Sequence, residues 1–200
     1  MAKTDNFRKH THRNPIQRFL LWNFFRNLLV LISEKKVISI LDVGCGEGFT
    51  LNRLKANNIE EKLEGIEYSE DAIVIGKKIY PEIKITKGNI YKLPYKDNSF
   101  DLVLCTEVLE HLENPEEGLR ELIRVSKKYL VISVPNEPFF MFAQFVRGKN
   151  WSRFGNDIEH INHWTFWQFE KFVKTNSGSK IQILKSKHPF AWTMLLLEKP

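Results

Sequence analysis

Cysteine is scarce in this 200-residue chain: Cys45 and Cys105 are too few for the disulfide framework that staples small secreted domains. Long apolar runs are missing as well. The most apolar stretch, Ile16 to Ile32, is broken by Arg18, Asn23, Arg26 and Asn27, whereas a membrane-spanning helix needs about 20 predominantly apolar residues. The expectation is an amphipathic helix that closes over a site or rests on a membrane surface. Met1 to Asn6 is polar and leads to no apolar stretch with a small-residue cleavage site, so a reducing, cytoplasmic setting is expected. Neither an internal repeat nor a low-complexity tract occurs, which excludes a solenoid. Excess charge is small: +6, compatible with nucleic acid, anionic lipid or an acidic small substrate, and selecting none of them.

What is present suits one globular unit. Hydrophobic residues make up 42% and charged residues 27%, proportions of an ordered soluble domain rather than a disordered or fibrous chain. Residues 1–36 read as an N-terminal helical cover with a basic leader (Arg8, Lys9, His10, His12, Arg13), and residues 37–200 as the main domain. From Val37 the texture alternates. Val37–Val43, a short apolar, β-branched run, reads as a buried strand, and Leu63–Tyr68, Ile83–Thr86, Phe100–Thr106 and Tyr129–Val134 read as further strands. Between them, Phe49–Asn57, a segment opened by Ser69-Glu70-Asp71, and Pro115–Val125 read as helices. That alternation predicts an α/β fold with a doubly wound, mostly parallel sheet. Beyond Pro135, Asn136–His163 reads as irregular and aromatic, followed by a helix near Thr165–Thr175. Two strands, Lys180–Ser186 and Ala191–Glu198, then form a hairpin that is expected to place one antiparallel strand at the sheet edge.

The sharpest motif is Ile40-Leu41-Asp42-Val43-Gly44-Cys45-Gly46-Glu47-Gly48. A strand feeds a turn with glycines at alternate positions, which lets a ligand approach the backbone without Cβ obstruction. Its third glycine comes one residue too early for a pyrophosphate-binding loop. Asp42, just before the turn, would repel a phosphate and suits a ligand bearing an ammonium and a sulfonium. About 20 residues on, Glu67 ends the next strand, where a carboxylate can take both hydroxyls of a ribose.

These residues resemble motif I and the second-strand motif of the class I S-adenosylmethionine-dependent methyltransferases. Gly65-Ile66-Glu67-Tyr68-Ser69, Gly88-Asn89-Ile90 through Leu93-Pro94, and Ser99–Val103 with Glu107–Leu112 extend the likeness to the UbiE-like (methyltransferase type 11) subgroup. The resemblance covers about Val37 to Pro200. It implies a Rossmann-like methyltransferase fold of seven strands with an antiparallel last strand, and S-adenosyl-L-methionine as cofactor. Asp42, Gly44, Cys45, Gly46, Glu67, Tyr68, Asn89, Ile90 and Thr106 are then the expected cofactor residues. Tyr68 would pack on adenine. Asn89 stands where the family usually has Asp, and its side-chain carbonyl would meet the adenine amine.

Methyl transfer needs an acceptor held in line with the S–CH₃ bond and relieved of its proton where it carries one. His111 and His160 are the expected catalytic bases, with His163 a further candidate. The expected acceptor is a small or lipid-like molecule, and no resident metal is expected. One alternative is a metal-assisted RNA 2′-O-methyltransferase. Glu107, Glu110 and His111, at i, i+3 and i+4 on one helix face, would then join His160 around an ion, an arrangement that resembles the small-RNA 3′-terminal enzymes. The other alternative is a SAM-binding partner subunit without catalysis. Trp151, Arg153 and Phe154 are candidates for stacking on bases. No Asn-Pro-Pro-Tyr run or Pro-Cys pair suggests chemistry on DNA bases.

Overall fold

The computed structural model of the protein describes residues 4–59, 62–137, 139–146 and 160–200. Trp151, Arg153 and Phe154 lie outside the described residues. Two helices come first, α1 (Asp5–Thr11) and α2 (Pro15–Ile32). Local sequence starts α2: Pro15 occupies its first turn, and the Asn14 side chain accepts from the Ile16 and Gln17 N–H groups. The sheet strands follow as β1 (Ser39–Val43), β2 (Lys62–Glu67), β3 (Lys84–Lys87), β4 (Phe100–Thr106), β5 (Ser126–Pro135), β6 (Gln182–Lys187) and β7 (Trp192–Glu198). The helices between them are α3 (Phe49–Ala56), α4 (Glu70–Ile79), α5 (Pro115–Val125), α6 (Phe139–Val146) and α7 (Phe166–Ser177). Ser69 caps α4 through the Ala72 N–H, and Thr165 with Gln168 forms a capping box on α7.

Strand order is β3-β2-β1-β4-β5-β7-β6. β1 to β5 pair in parallel, and β7 runs antiparallel to both β5 and β6. The seven-stranded sheet with an antiparallel last strand is therefore as expected, but the edge is not. β7 is inserted inside the sheet and β6 forms its rim. Burial explains the order: Thr193 to Leu197 are all fully covered, whereas β6 presents Lys185 and Lys187 at a boundary where unpaired backbone needs protection. A second expectation also fails, because Phe139–Val146 is helical rather than irregular.

Two main apolar layers flank the sheet. One packs α5 and α7 against it through Leu119, Leu122, Phe169 and Val173. The other packs α2 through Phe24, Leu28 and Leu31 onto Leu102, Val131 and Leu196. The polar interruptions that exclude a membrane span are partly accounted for by this packing: α2 buries one face, while Ile16, Phe19, Trp22 and Val30 stay exposed. Among the described residues no helix is long and apolar enough to cross a membrane. Leu28 is fully enclosed, so Leu28→Ala should cost about 2–5 kcal/mol. Urea unfolding should show this as a lower midpoint with an unchanged slope, and a loss below about 1 kcal/mol would mean that α2 is a loosely attached cover.

Candidate active site

The chain leaves β1, adds β2 and β3 outward, then returns to place β4 beside β1 on the other side. Strand order reverses there, and in open α/β sheets ligands bind in the crevice beyond the strand ends at such a point. A cavity of about 1070 Å³ occupies this position, at the upper end of the range of about 300–1,000 Å³ usual for small-molecule sites. Its floor is the glycine turn after β1, its sides are the ends of β2 and β4, and α1 and α2 form its cover.

The turn is held from behind. The N–H groups of Gly44 and Cys45 both donate to the Ile66 carbonyl, at 2.8 and 3.1 Å. Gly44 and Gly46 have φ of 75° and 55°, a left-handed backbone that disfavours side chains. A Cβ on Gly44 would lie 2.3 Å from Val108, and one on Gly46 would lie 2.4 Å from the Asn6 amide. Cys45 contributes backbone rather than thiol. Its sulfur turns back toward Gly65, and burial pushes the thiol well above its ordinary range.

Glu67 stands at the centre of the crevice wall. One carboxylate oxygen accepts from the Gly46 N–H at 2.8 Å, and the other from the Tyr68 and Ser69 N–H groups at 2.8 and 2.7 Å. Those bonds fix the carboxylate and leave one acceptor site, on the oxygen that accepts from Gly46, for a ligand in the cavity that Glu67 lines. Tyr68 lines the mouth and is 73% exposed, free to pack on a flat ligand. Asn89, Ile90 and Thr106 also line the cavity. The Asn89 side-chain carbonyl accepts from the Tyr91 N–H at 3.0 Å, which leaves its second lone pair for an exocyclic amine.

Asp42 is placed differently from the rest. It sits behind the wall rather than in it, 1% exposed, and neither carboxylate oxygen has a hydrogen-bond partner among the described residues. Burial, with the Glu67 charge adding to it, raises its pKa to about 7. An uncompensated buried acid behind the cavity wall fits a ligand that carries positive charge. Taken with the glycine turn and Glu67, the residues present fit S-adenosylmethionine.

The deeper half of the cavity holds the expected catalytic residues in a corrected geometry. Glu107, Glu110 and His111 do not share a helix face. Glu107 has a left-handed backbone, φ 57°, and only Leu109–His111 forms a single 3-10 turn. The sequence Glu-x-x-Glu-His has helical spacing, but the chain must first turn out of β4, and Glu107 makes that turn. Its carboxylate consequently accepts from Lys9 of the cover and from the indole N–H of Trp192 at the start of β7. Burial alone would raise Glu107, but Lys9 and Trp192 outweigh it and hold its pKa low.

Glu110 is the opposite case. It is 1% exposed, both oxygens lack a partner among the described residues, and burial beside Glu107 pushes it well above the carboxylate range. The Ile161 and Asn162 N–H groups both donate to the Glu110 carbonyl at 2.9 Å, which ties the later segment to this turn. That tie brings His160 beside His111, with ring centres 5.0 Å apart. Glu110, His111 and His160 thus converge, with ligand-type atoms within 4.8 Å of one another. Glu137, His160 and His163 form an adjoining group. The four-residue set of the metal-assisted alternative is therefore reduced to three here, because Lys9 occupies Glu107.

Sequence reasoning missed the cover's polar latches. Thr4 and Asn6 both donate to the buried Glu47, and His10 stacks on Phe49 with ring centres 4.3 Å apart. Burial lowers the His10 pKa to about 3, so the ring is neutral. The basic leader read from Arg8 to Arg13 carried the signal only partly, since the contacting residues alternate with solvated ones.

Comparisons with known proteins agree with this geometry. Residues 41–132 match the family model described as a methyltransferase domain. The chain is 30% identical over 103 residues to a probable S-adenosylmethionine-dependent methyltransferase of Mycobacterium tuberculosis, covering 50% of this chain and 37% of that protein. It is 33% identical over 99 residues to ajmaline N-methyltransferase of Rauvolfia serpentina, covering 46% and 34%. The chain thus matches only about a third of the length of these two relatives. Its fold is similar to that of a plantazolicin methyltransferase solved in complex with a triazolic desmethylPZN analogue and SAH. That match has a TM-score of 0.74, 19% identity, and coverage of 97% of this chain and 89% of that one.

Proposed function

We propose that this chain, of which residues 41–132 match a methyltransferase domain, is a class I S-adenosylmethionine-dependent methyltransferase that transfers a methyl group to a small organic acceptor bound in the deep half of the cavity. The observation that carries the proposal is one continuous cavity with two chemically distinct ends. The outer end, Gly44 to Gly46 with Glu67, suits a nucleoside and its amino-acid tail. The inner end joins Glu110, His111 and His160 to the aromatic rings of Phe140 and Trp192. The cofactor supplies an activated methyl group when bound. The chain's own residues then orient the acceptor, exclude water and take up the acceptor's proton, for which His111 and His160 are placed.

The metal-assisted RNA alternative is weakened by the engagement of Glu107 with Lys9. A SAM-binding subunit without catalysis would bind the cofactor and show no turnover. Incubation with methyl-labelled S-adenosylmethionine separates these readings. Label should enter a small-molecule fraction of a metabolite extract and survive chelator. Label in RNA 3′ ends that disappears with chelator would favour the alternative.

Glu67→Ala tests the cofactor end. Loss of charge-assisted hydrogen bonds should weaken S-adenosylmethionine binding by about 1–3 kcal/mol in calorimetry. Unchanged affinity in a variant with native circular dichroism would remove Glu67 from the site.

A further inference from the structure

The basic excess of the chain is concentrated in its cover. Residues 6–33 contain five Lys and Arg (Arg8, Lys9, Arg13, Arg18 and Arg26) and no Asp or Glu, while the rest of the chain is nearly balanced at 25 against 24. The two acids that bracket this segment are already paired. Asp5 lies 3.4 Å from Arg8, and Glu34 lies 2.8 Å from Lys185. Lys9 is committed to Glu107, whereas Arg8, Arg13, Arg18 and Arg26 are exposed. A surface with this balance attracts anions.

On α2 the charge is combined with exposed apolar side chains. Arg18, Trp22, Arg26 and Val30 follow one another at intervals of four, with Ile16 and Phe19 beside them, so all six fall on one helix face. Ile16, Phe19, Trp22 and Val30 are 46% to 61% exposed. Phe19 and Trp22 stand together with ring centres 5.9 Å apart, and the Arg26 guanidinium lies over the Trp22 ring at 5.3 Å. The opposite face of the helix carries the packing, through Leu20, Leu21, Phe24 and Leu28. The outer apolar residues thus add nothing to the core. Apolar residues gathered on one exposed face and flanked by cations mark a contact surface.

The chemistry of the face selects its partner. A nucleic-acid backbone would engage the arginines but leave Ile16, Phe19 and Val30 in water. A second copy packed face to face would oppose like charges, because a two-fold interface presents the same patch from both sides. An anionic bilayer satisfies both halves of the face. Lipid headgroups meet Arg18 and Arg26, aromatic rings sit at headgroup level, and Ile16 and Val30 enter the acyl boundary.

We infer that the outer face of α2 docks on an anionic membrane surface, with the helix lying in the plane of the interface. With its inner face the same helix lines the cavity, through Gln17, Leu20, Leu21 and Phe24. Docking therefore brings the cavity within one helix diameter, about 10–12 Å, of the lipid.

Sedimentation of the full chain with sucrose-loaded vesicles tests this. Vesicles of phosphatidylcholine with about 30% phosphatidylserine should bind the protein at least about tenfold more tightly than phosphatidylcholine alone, and about 0.5 M salt should remove most of that difference. Arg18→Glu combined with Arg26→Glu should lower affinity for the anionic vesicles at least about tenfold. Phe19→Ser combined with Trp22→Ser should lower it by a similar factor, because the rings no longer enter the interface. None of these four side chains lines the cavity, so S-adenosylhomocysteine affinity should stay within about twofold of the parent in both double variants. Trp167 is 68% exposed on α7, which packs on the other side of the sheet, and Trp167→Ser should leave vesicle binding unchanged. Equal binding to both kinds of vesicle, or anionic-vesicle binding that survives either double variant, would overturn the inference. A dimer in sedimentation velocity that Trp22→Ser dissociates would overturn it in favour of a second copy. Tighter binding to a mixed-sequence RNA than to anionic vesicles, lost in the double arginine variant, would overturn it in favour of nucleic acid.

Discussion

Valine in place of Gly46 should lower S-adenosylmethionine affinity by about a hundredfold or more, some 3 kcal/mol, while the sheet stays folded. Gly46 has φ 55°, where a β-branched residue is strained. The added atoms would project into the space between the turn and α1, where the first obstacle is the tip of the Asn6 side chain. That tip can move, so the folded protein survives with a modest loss of stability. The ligand cannot retreat in the same way, because Gly46 is tied by its N–H to Glu67 at 2.8 Å. Calorimetry and a thermal melt together check both halves. Affinity within about threefold of the parent in a folded variant would show that ligand does not lie over the turn.

The second large effect concerns Asp42 and pH. Its pKa is about 7 in the folded, ligand-free protein, against about 3.9 in an unfolded chain. Between those values the folded state holds a proton that the unfolded state has released, so stability falls as pH rises from about 4 to 7. Above pH 7 the full penalty is present, on the order of 4 kcal/mol as a ceiling. Glu110, also raised by burial, acts in the same direction. Asp42→Asn cannot ionise, so it should stabilise the ligand-free protein at pH 8 far more than at pH 5, as read by urea midpoints. Cofactor binding should show the opposite dependence. A bound cation favours the ionised carboxylate, so parent affinity rises from pH 5.5 to 7.5, with release of up to about one proton per site. The variant should bind more weakly with a flatter profile. Identical pH profiles for parent and variant would mean that Asp42 does not sense the ligand.

Much of this arrangement is legible in the residues themselves. The glycine turn and Glu67 are local: a strand, a turn that requires left-handed backbone, and an acid at the next strand end lie within 28 residues. Phe100–Thr106 and Pro115–Val125 have the expected bounds because an apolar run and a proline mark them in the sequence. The failures arise where tertiary contacts decide. Glu-x-x-Glu-His has helical spacing, yet the exit from β4 puts Glu107 in a left-handed turn and divides the pair between Lys9 and the cavity interior. Likewise, hairpin logic orders β6 and β7 in sequence but not in space. The fully apolar Met194-Leu195-Leu196-Leu197 run takes the inner position, and the lysine-bearing strand takes the edge. The latches from Thr4, Asn6 and Lys9 come from sequence neighbours of no pattern at all, and 41 to 98 positions separate them from their partners.

A crystal structure grown with S-adenosylhomocysteine tests the central claim most directly. The expected density runs along the crevice between β1 and β4. Its ribose hydroxyls should lie within hydrogen-bonding distance of Glu67, its amino-acid tail over Gly44 and Gly46, and its sulfur should point toward Glu110 and His160. Density in any other cavity, or a ribose that leaves Glu67 untouched, would contradict it.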